Sequence, residues 1–221
     1  MKQKPVAWSY SVLSTFENCP KQYLEVNLKK SVKKENYAAS DGARRHKEIE
    51  LYLLNGTASP TVDKFKPVID HFKNMNGRLY VEHQMALGVD RKPVDFKDWN
   101  NAWVRAVSDV LVVDGDKGIM VDWKFGKPRD GDDQLKLTAG VIMDSFPRIN
   151  RVEGVYVYLE HKLCSPTYTY TRDQTDDIWQ GFTLRYSAIL KAIEDTRWPA
   201  RPSGLCGYCP VTSCEYNRGN K

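Results

Sequence analysis

Asp109, Asp122 and Lys124 are the residues whose types and spacing could do chemistry. They fall in residues 107–124, where two β-branched, apolar runs flank an Asp/Gly/Lys turn and read as an antiparallel hairpin. Strand side chains alternate faces, so Asp122 and Lys124 point one way while Ile119, Val121 and Trp123 point the other. Pairing of Asp114 with Lys117 around a Gly115-Asp116 turn sets Asp109 opposite Asp122; a turn centred on Asp114-Gly115 shifts that pairing by two residues. In the first register two carboxylates and an ammonium share one patch. Like charges facing each other destabilise a sheet, so the patch asks for a compensating cation. Hard oxygen ligands with an open position suit Mg²⁺ or Mn²⁺, which polarise a phosphate and acidify a bound water. A neighbouring lysine can orient that water and offset charge developing on the phosphate. The plainer alternative is an edge hairpin with solvated Asp and Lys.

A second set of chemical residues lies near the C-terminus. Cys206, Cys209 and Cys214 make Cys-x2-Cys-x4-Cys, with Pro210 beside the second thiol. Thiols at such loop spacing converge on a metal ion or cluster. A fourth ligand is needed, and Cys19, beside Pro20, would supply it by bringing the two ends of the chain together; Cys164 ends an expected strand and reads as core. Cysteine ligation alone does not separate Zn²⁺ from an iron–sulfur cluster.

The chain has 221 residues, 28% of them charged and 41% apolar, which is the balance of a soluble globular domain with appendages. Its net charge is +5, with Lys29-Lys30, Lys33-Lys34 and Arg44-Arg45 close together, either a solvated face or a phosphate-binding one. No stretch is apolar for long enough to span a bilayer, and residues 1–9 lack the apolar run of a signal peptide. Five cysteines in such a chain point to a reducing, cytoplasmic setting rather than a disulfide framework. No Gly-x4-Gly-Lys-Ser/Thr occurs, which excludes a P-loop ATPase.

The elements that must position these residues follow from periodicity. Ser9 caps an expected helix holding Val12, Leu13 and Phe16, which Pro20 kinks or ends. Residues 31–39 read as a loop, after which Ser40 or Asp41 caps a helix running to a Gly56 C-cap, with His46, Ile49, Glu50 and Leu53 on one face. A lone histidine on such a face can equally be a core residue. Val62, Phe65, Val68, Ile69 and Phe72 mark a third helix. Residues 79–87 and 103–113 read as strands, 133–145 as a helix with Gln134, Thr138 and Val141 on one face. Residues 152–163 and 167–171 form an expected second hairpin, and Ile178, Phe182, Ile189, Leu190 and Ile193 a last long helix.

These pieces in this order resemble the RecB-like nuclease domains of the PD-(D/E)xK superfamily that carry an iron–sulfur cluster, including the nucleases of CRISPR adaptation. Ser-Tyr-Ser-Val-Leu-Ser-Thr-Phe-Glu-Asn-Cys-Pro-Lys-Gln-Tyr, from Ser9, is similar to their opening, Gly42-x3-His46 to their helical Gly-x-x-x-His motif, and Asp109 with Asp122-Trp123-Lys124 to their catalytic core. Gln134 fits the first position of a Gln-x-x-x-Tyr motif, although Thr138 replaces its tyrosine; Ala106 stands where a glycine often precedes the first Asp. The resemblance implies that His46, Asp109, Asp122 and the Trp123 carbonyl hold Mg²⁺ or Mn²⁺, that Lys124 orients the water, and that Gln134 contacts DNA or supports the site. It further implies that Cys19, Cys206, Cys209 and Cys214 hold a [4Fe–4S] cluster, with Zn²⁺ as the alternative.

The resulting expectation is an α/β fold, a central mixed sheet flanked by helices with a restriction-endonuclease-like core, in a single nuclease domain. Its core spans about 38–195, and 9–30 join 199–221 in a cysteine-rich segment. The expected activity is metal-dependent hydrolysis of DNA, as an exonuclease on single-stranded or frayed ends. A structure-specific endonuclease and a non-catalytic nucleic-acid-binding subunit are the rivals. DNA is the expected partner, with recombination or CRISPR-adaptation proteins beside it and no membrane.

Overall fold

Leu13 and Phe16, three residues apart, drive the first helix, α1 (Tyr10–Asn18), onto its buried face. The computed structural model describes residues 7–32 and 37–219, apart from the side chains of 37–39. Pro20 cannot continue α1 but fits the first turn of α2 (Pro20–Tyr23), from which a π-helical turn, Leu24–Leu28, follows. Helix α3 (Tyr37–Asn55) ends at Gly56, whose φ of +79° suits glycine. It starts before the expected caps: Ser40 and Asp41 lie inside it, and the Asp41 carboxylate pairs with Arg44 and Arg45 instead of with free helix N–H groups. Helix α4 (Pro60–Lys73) is capped by Ser59, which accepts a hydrogen bond from the Val62 N–H. Then come β1 (Arg78–Leu87), β2 (Pro93–Val94), β3 (Val104–Asp114), β4 (Lys117–Lys124), α5 (Asp133–Ser145), β5 (Arg151–Tyr158), β6 (Leu163–Cys164), β7 (Tyr168–Thr171) and α6 (Thr175–Glu194). The expected strand to residue 163 stops at Tyr158, because the chain turns through a 3₁₀ segment and Lys162 takes a left-handed φ of +50°.

The chain forms two compact units, one of Asp41–Gln180 and the other of Trp8–Ser40 with Gly181–Lys221. In the first, the strands make a seven-stranded mixed sheet in the order β2-β1-β3-β4-β5-β6, with β7 also on β5. All pairings are antiparallel except β4 with β5, whose connection runs through α5 as a parallel pair requires. On one face, Ile49, Tyr52 and Leu53 of α3 and Val62, Phe65, Ile69 and Phe72 of α4 bury against Val110, Val112, Val121 and Trp123. Full burial of side chains of this size contributes roughly 1.5–3 kcal/mol each. Helix α5 belongs to the other face, where Leu135 and Met120 press so closely on Gly154 that a Cβ there would stand 2.6 Å from the Met120 methyl. The sheet is thus central and flanked by helices.

In the second unit, Trp8 stacks on Tyr186 with ring centroids 5.3 Å apart, and Tyr23 stacks on Trp198 at 5.9 Å. Glu17 receives a bidentate pair of hydrogen bonds from Arg185, 2.7 and 2.8 Å. The Lys21 N–H reaches the Pro199 carbonyl, and Lys21 pairs with Glu215 at 2.7 Å. Among the described residues, no helix is long and apolar enough to cross a membrane.

Candidate active site

The hairpin adopts the register that pairs Asp114 with Lys117, and the β3–β4 ladder runs to Val110↔Val121 and stops. The next opposed pair is Asp109 and Asp122. There the strands part, and the Asp109 carboxylate takes over the ladder's role by accepting the Trp123 N–H at 2.8 Å. On the other side of β3, the ladder with β1 pairs Val81↔Val110 and His83↔Ser108 but skips the position between, which sets Glu82 opposite Asp109. Glu82 holds a left-handed φ of +47°, a conformation costly for a residue with a side chain and found where a site demands it. From α3, His46 brings its Nδ1 to 3.3 Å from Asp109 Oδ2. Its ring also packs edge-on against Phe125 at 5.4 Å.

His46, Glu82 and Asp109 each offer one ligand atom, and all lie within 4.8 Å of one another. Of the expected metal ligands, His46, Asp109 and the Trp123 main chain meet here. Asp122 sits beside them with its oxygens engaged: Oδ2 is 2.5 Å from Lys124 Nζ, an ion pair, and Oδ1 accepts from Gln134 Nε2. Gln134 Oε1 in turn accepts from Lys124 Nζ at 2.9 Å, so Asp122, Lys124 and Gln134 form a closed triangle. Gln134 reaches them from the first turn of α5, one residue after Asp133. Thr138, one turn on, is buried and donates its hydroxyl to the Gln134 carbonyl, so it offers no ring for a base to stack on.

Burial and crowding set the protonation. Burial pushes the Asp109 carboxyl well above the usual carboxylate range, and the charges of Asp122 and Glu82 push it further; the Trp123 N–H and Lys124 oppose this. Glu82 is raised to about 7 by burial, with Glu50 adding to the shift. Burial lowers the His46 imidazole below its ordinary value, which keeps it neutral and able to donate a lone pair at neutral pH. A nitrogen and two carboxylates this close, with both acids shifted upward for want of a counter-charge, are a donor set that fits a hard divalent cation.

Glu82 was not among the expected site residues. In the sequence it is one acidic residue in an alternating strand, and only the β1–β3 register places it against Asp109. Of the clustered basic residues, Arg44 pairs with Asp41 and Glu48, and Arg45 with Asp41 and Glu160. Lys33-Lys34 lies outside the described residues.

In the second unit, burial raises the Cys209 thiol, a Val211 main-chain hydrogen bond opposes it, and Cys19, Cys214 and Cys206 each add to the rise, so the four thiols share one neighbourhood. Main-chain N–H groups of Arg201 and Ser203 point at Cys19 Sγ and Cys206 Sγ, at 3.4 and 3.2 Å. Asn217 pins the loop by donating to the Cys209 and Val211 carbonyls. Cys164 is exposed on β6 rather than part of a core.

No family model and no curated protein matches the sequence. Solved structures match by fold. One, from Eubacterium rectale, bears a name that gives exonuclease as a provisional assignment; it is 12% identical, with 99% of this chain and 88% of that one covered and a TM-score of 0.53. Another, called SSO0001, is 13% identical, with 98% and 88% covered and a TM-score of 0.48. At such identities the likeness to the Eubacterium rectale protein is one of fold.

Proposed function

We propose that this protein is a metal-dependent nuclease that hydrolyses DNA phosphodiester bonds, acting as an exonuclease on single-stranded or frayed ends. The observation that carries the reading is the meeting of His46, Glu82 and Asp109 within 4.8 Å, next to the Asp122–Lys124–Gln134 triangle. His46, Glu82 and Asp109 would hold Mg²⁺ or Mn²⁺, with the Trp123 carbonyl beside them and Asp122 released to join as the cation takes over from Lys124. The cation supplies Lewis-acid activation of a phosphate and acidification of a water. Lys124 then orients the nucleophilic water and offsets charge on the phosphate, and Gln134 holds both Lys124 and Asp122 in place. A protein of the same fold whose name includes exonuclease supports the direction of this reading.

The four convergent thiols, with N–H groups aimed at two sulfurs, fit a metal centre, and we assign them to a [4Fe–4S] cluster on the strength of the resemblance, with Zn²⁺ as the alternative. The deciding experiment for the activity is digestion of end-labelled single- and double-stranded linear DNA, against covalently closed circles, with Mg²⁺, Mn²⁺ or EDTA. Cleavage of the linear strands in metal and none in EDTA is expected. Cleavage of closed circles would move the assignment to an endonuclease, and no cleavage of any substrate would overturn it.

A further inference from the structure

Two residues N-terminal to Asp109 on the same face of β3 lies Val107, and two further lies Arg105. Val107 is 37% exposed and its cross-strand partner Gln84 is exposed too, so an open strip of sheet leads from the carboxylates toward Arg105. Four strand residues span about 13 Å. At the far end Arg105 is buried, 8% exposed, with its guanidinium 3.3 Å from the centroid of Trp99 and 5.0 Å from that of Phe96. Trp99 itself is 70% exposed.

Arg105 Nε and Nη2 are buried and have no hydrogen-bond partner among the described residues. These two nitrogens form the side-on fork of an arginine. Elsewhere in this protein that fork grips an acid: Arg91 Nε and Nη2 hold Asp144, at 2.8 and 3.1 Å, and Arg185 Nε and Nη2 hold Glu17. Aromatic rings give Arg105 partial compensation, but they accept none of its N–H groups. A desolvated fork with no acceptor is built for an anion that comes from outside the chain.

We propose that Arg105 and Trp99 form a nucleotide subsite on single-stranded nucleic acid: the fork takes a backbone phosphate a few nucleotides from the one at Asp109, and the Trp99 ring stacks on a base. The subsite rests on the nuclease reading of the Asp109 site. Binding exchanges one set of contacts for another. Trp99 moves off the guanidinium, the phosphate oxygens accept from Nε and Nη2, and the freed ring face meets a base, a contact that tolerates any sequence. Within the loop around Trp99, Asp95 accepts the Lys97 N–H and Asp98 those of Asn100 and Asn101.

The test is fluorescence anisotropy of a labelled 20-mer of thymidylate in EDTA, where binding is read without cleavage. Trp99→Ala and Arg105→Lys should each weaken binding about ten-fold, the first by loss of stacking and the second by loss of the fork while its charge remains. Arg105→Met should weaken binding as much and yet raise the melting temperature, because it removes an unpaired buried charge; a residue with a merely structural role would do the reverse. Wild-type cleavage of the same strand in Mn²⁺ is the control. If wild type cleaves and all three variants bind as it does, the subsite is wrong and the nuclease reading stands. If wild type neither binds nor cleaves, the nuclease reading fails and the subsite falls with it.

Discussion

Glu82 and Asp109 carry a conflict that makes the site testable without a substrate. In the metal-free fold both acids are shifted toward the protonated form, Glu82 from 4.5 to about 7. Between those values the unfolded chain has released a proton that the folded chain keeps, so stability falls as pH rises through the window and stays lower above it. Glu82→Gln should therefore raise the metal-free melting temperature at pH 8 by on the order of a few degrees, and abolish the further rise that added Mn²⁺ gives wild type. A lower melting temperature at pH 8 would show that the carboxylate is not strained. For activity, Asp122→Asn and Lys124→Ala should each cut cleavage by about 10²-fold or more with the fold intact, and His46→Ala by about 10-fold or more. Near-wild-type rates from any purified variant of the three would remove that residue from the site.

At the scale of elements, the site depends on where strands stop pairing. The β3–β4 ladder ends at Val110↔Val121, and β1 breaks step at Glu82; both interruptions face Asp109. Helix α5 then delivers Gln134 to tie Asp122 and Lys124 together. Gln134→Ala should lower the rate about ten-fold or more while circular dichroism stays unchanged; an unchanged rate would make the triangle incidental. Much of this arrangement is written in local pattern. The Asp/Gly turn narrows the hairpin to two registers, between which the Asp114↔Lys117 pairing decides, and apolar spacing marks α4 and α5. Glu82 is illegible because alternation tells which face a residue occupies but not which residue of another strand it meets. The end of β5 at Tyr158 is hidden for a related reason: Lys162 takes a left-handed φ with no glycine to announce it. The start of α3 at Tyr37 escaped because Asp41 reads as a cap and serves instead as an acid for Arg44 and Arg45.

At the scale of the whole molecule, the two units differ in how they are wired. The first takes nearly all its residues from the single stretch Asp41–Gln180; the other is assembled from two long stretches, Trp8–Ser40 and Gly181–Lys221. Cys19 comes from the first of these stretches and Cys206, Cys209 and Cys214 from the second, so a centre held by all four, as proposed, would contribute its binding free energy to folding. Anaerobically purified protein should be brown, and Cys19→Ser should bleach it and lower its melting temperature, while Cys164→Ser, at an exposed position, does neither. A colourless protein with bound zinc would replace the cluster and keep the staple, whereas Cys19→Ser behaving like Cys164→Ser would remove the staple itself. The split wiring also imposes an order on the chain's birth. A ribosome makes the N-terminal stretch first and the C-terminal one last, at roughly 5–20 residues per second. The Asp41–Gln180 stretch can mature while synthesis continues, but on the proposed assignment Cys19 waits for Cys206, Cys209 and Cys214 to emerge. A nascent chain stalled before residue 206 should then carry an unprotected Cys19 thiol that a thiol-reactive label would report.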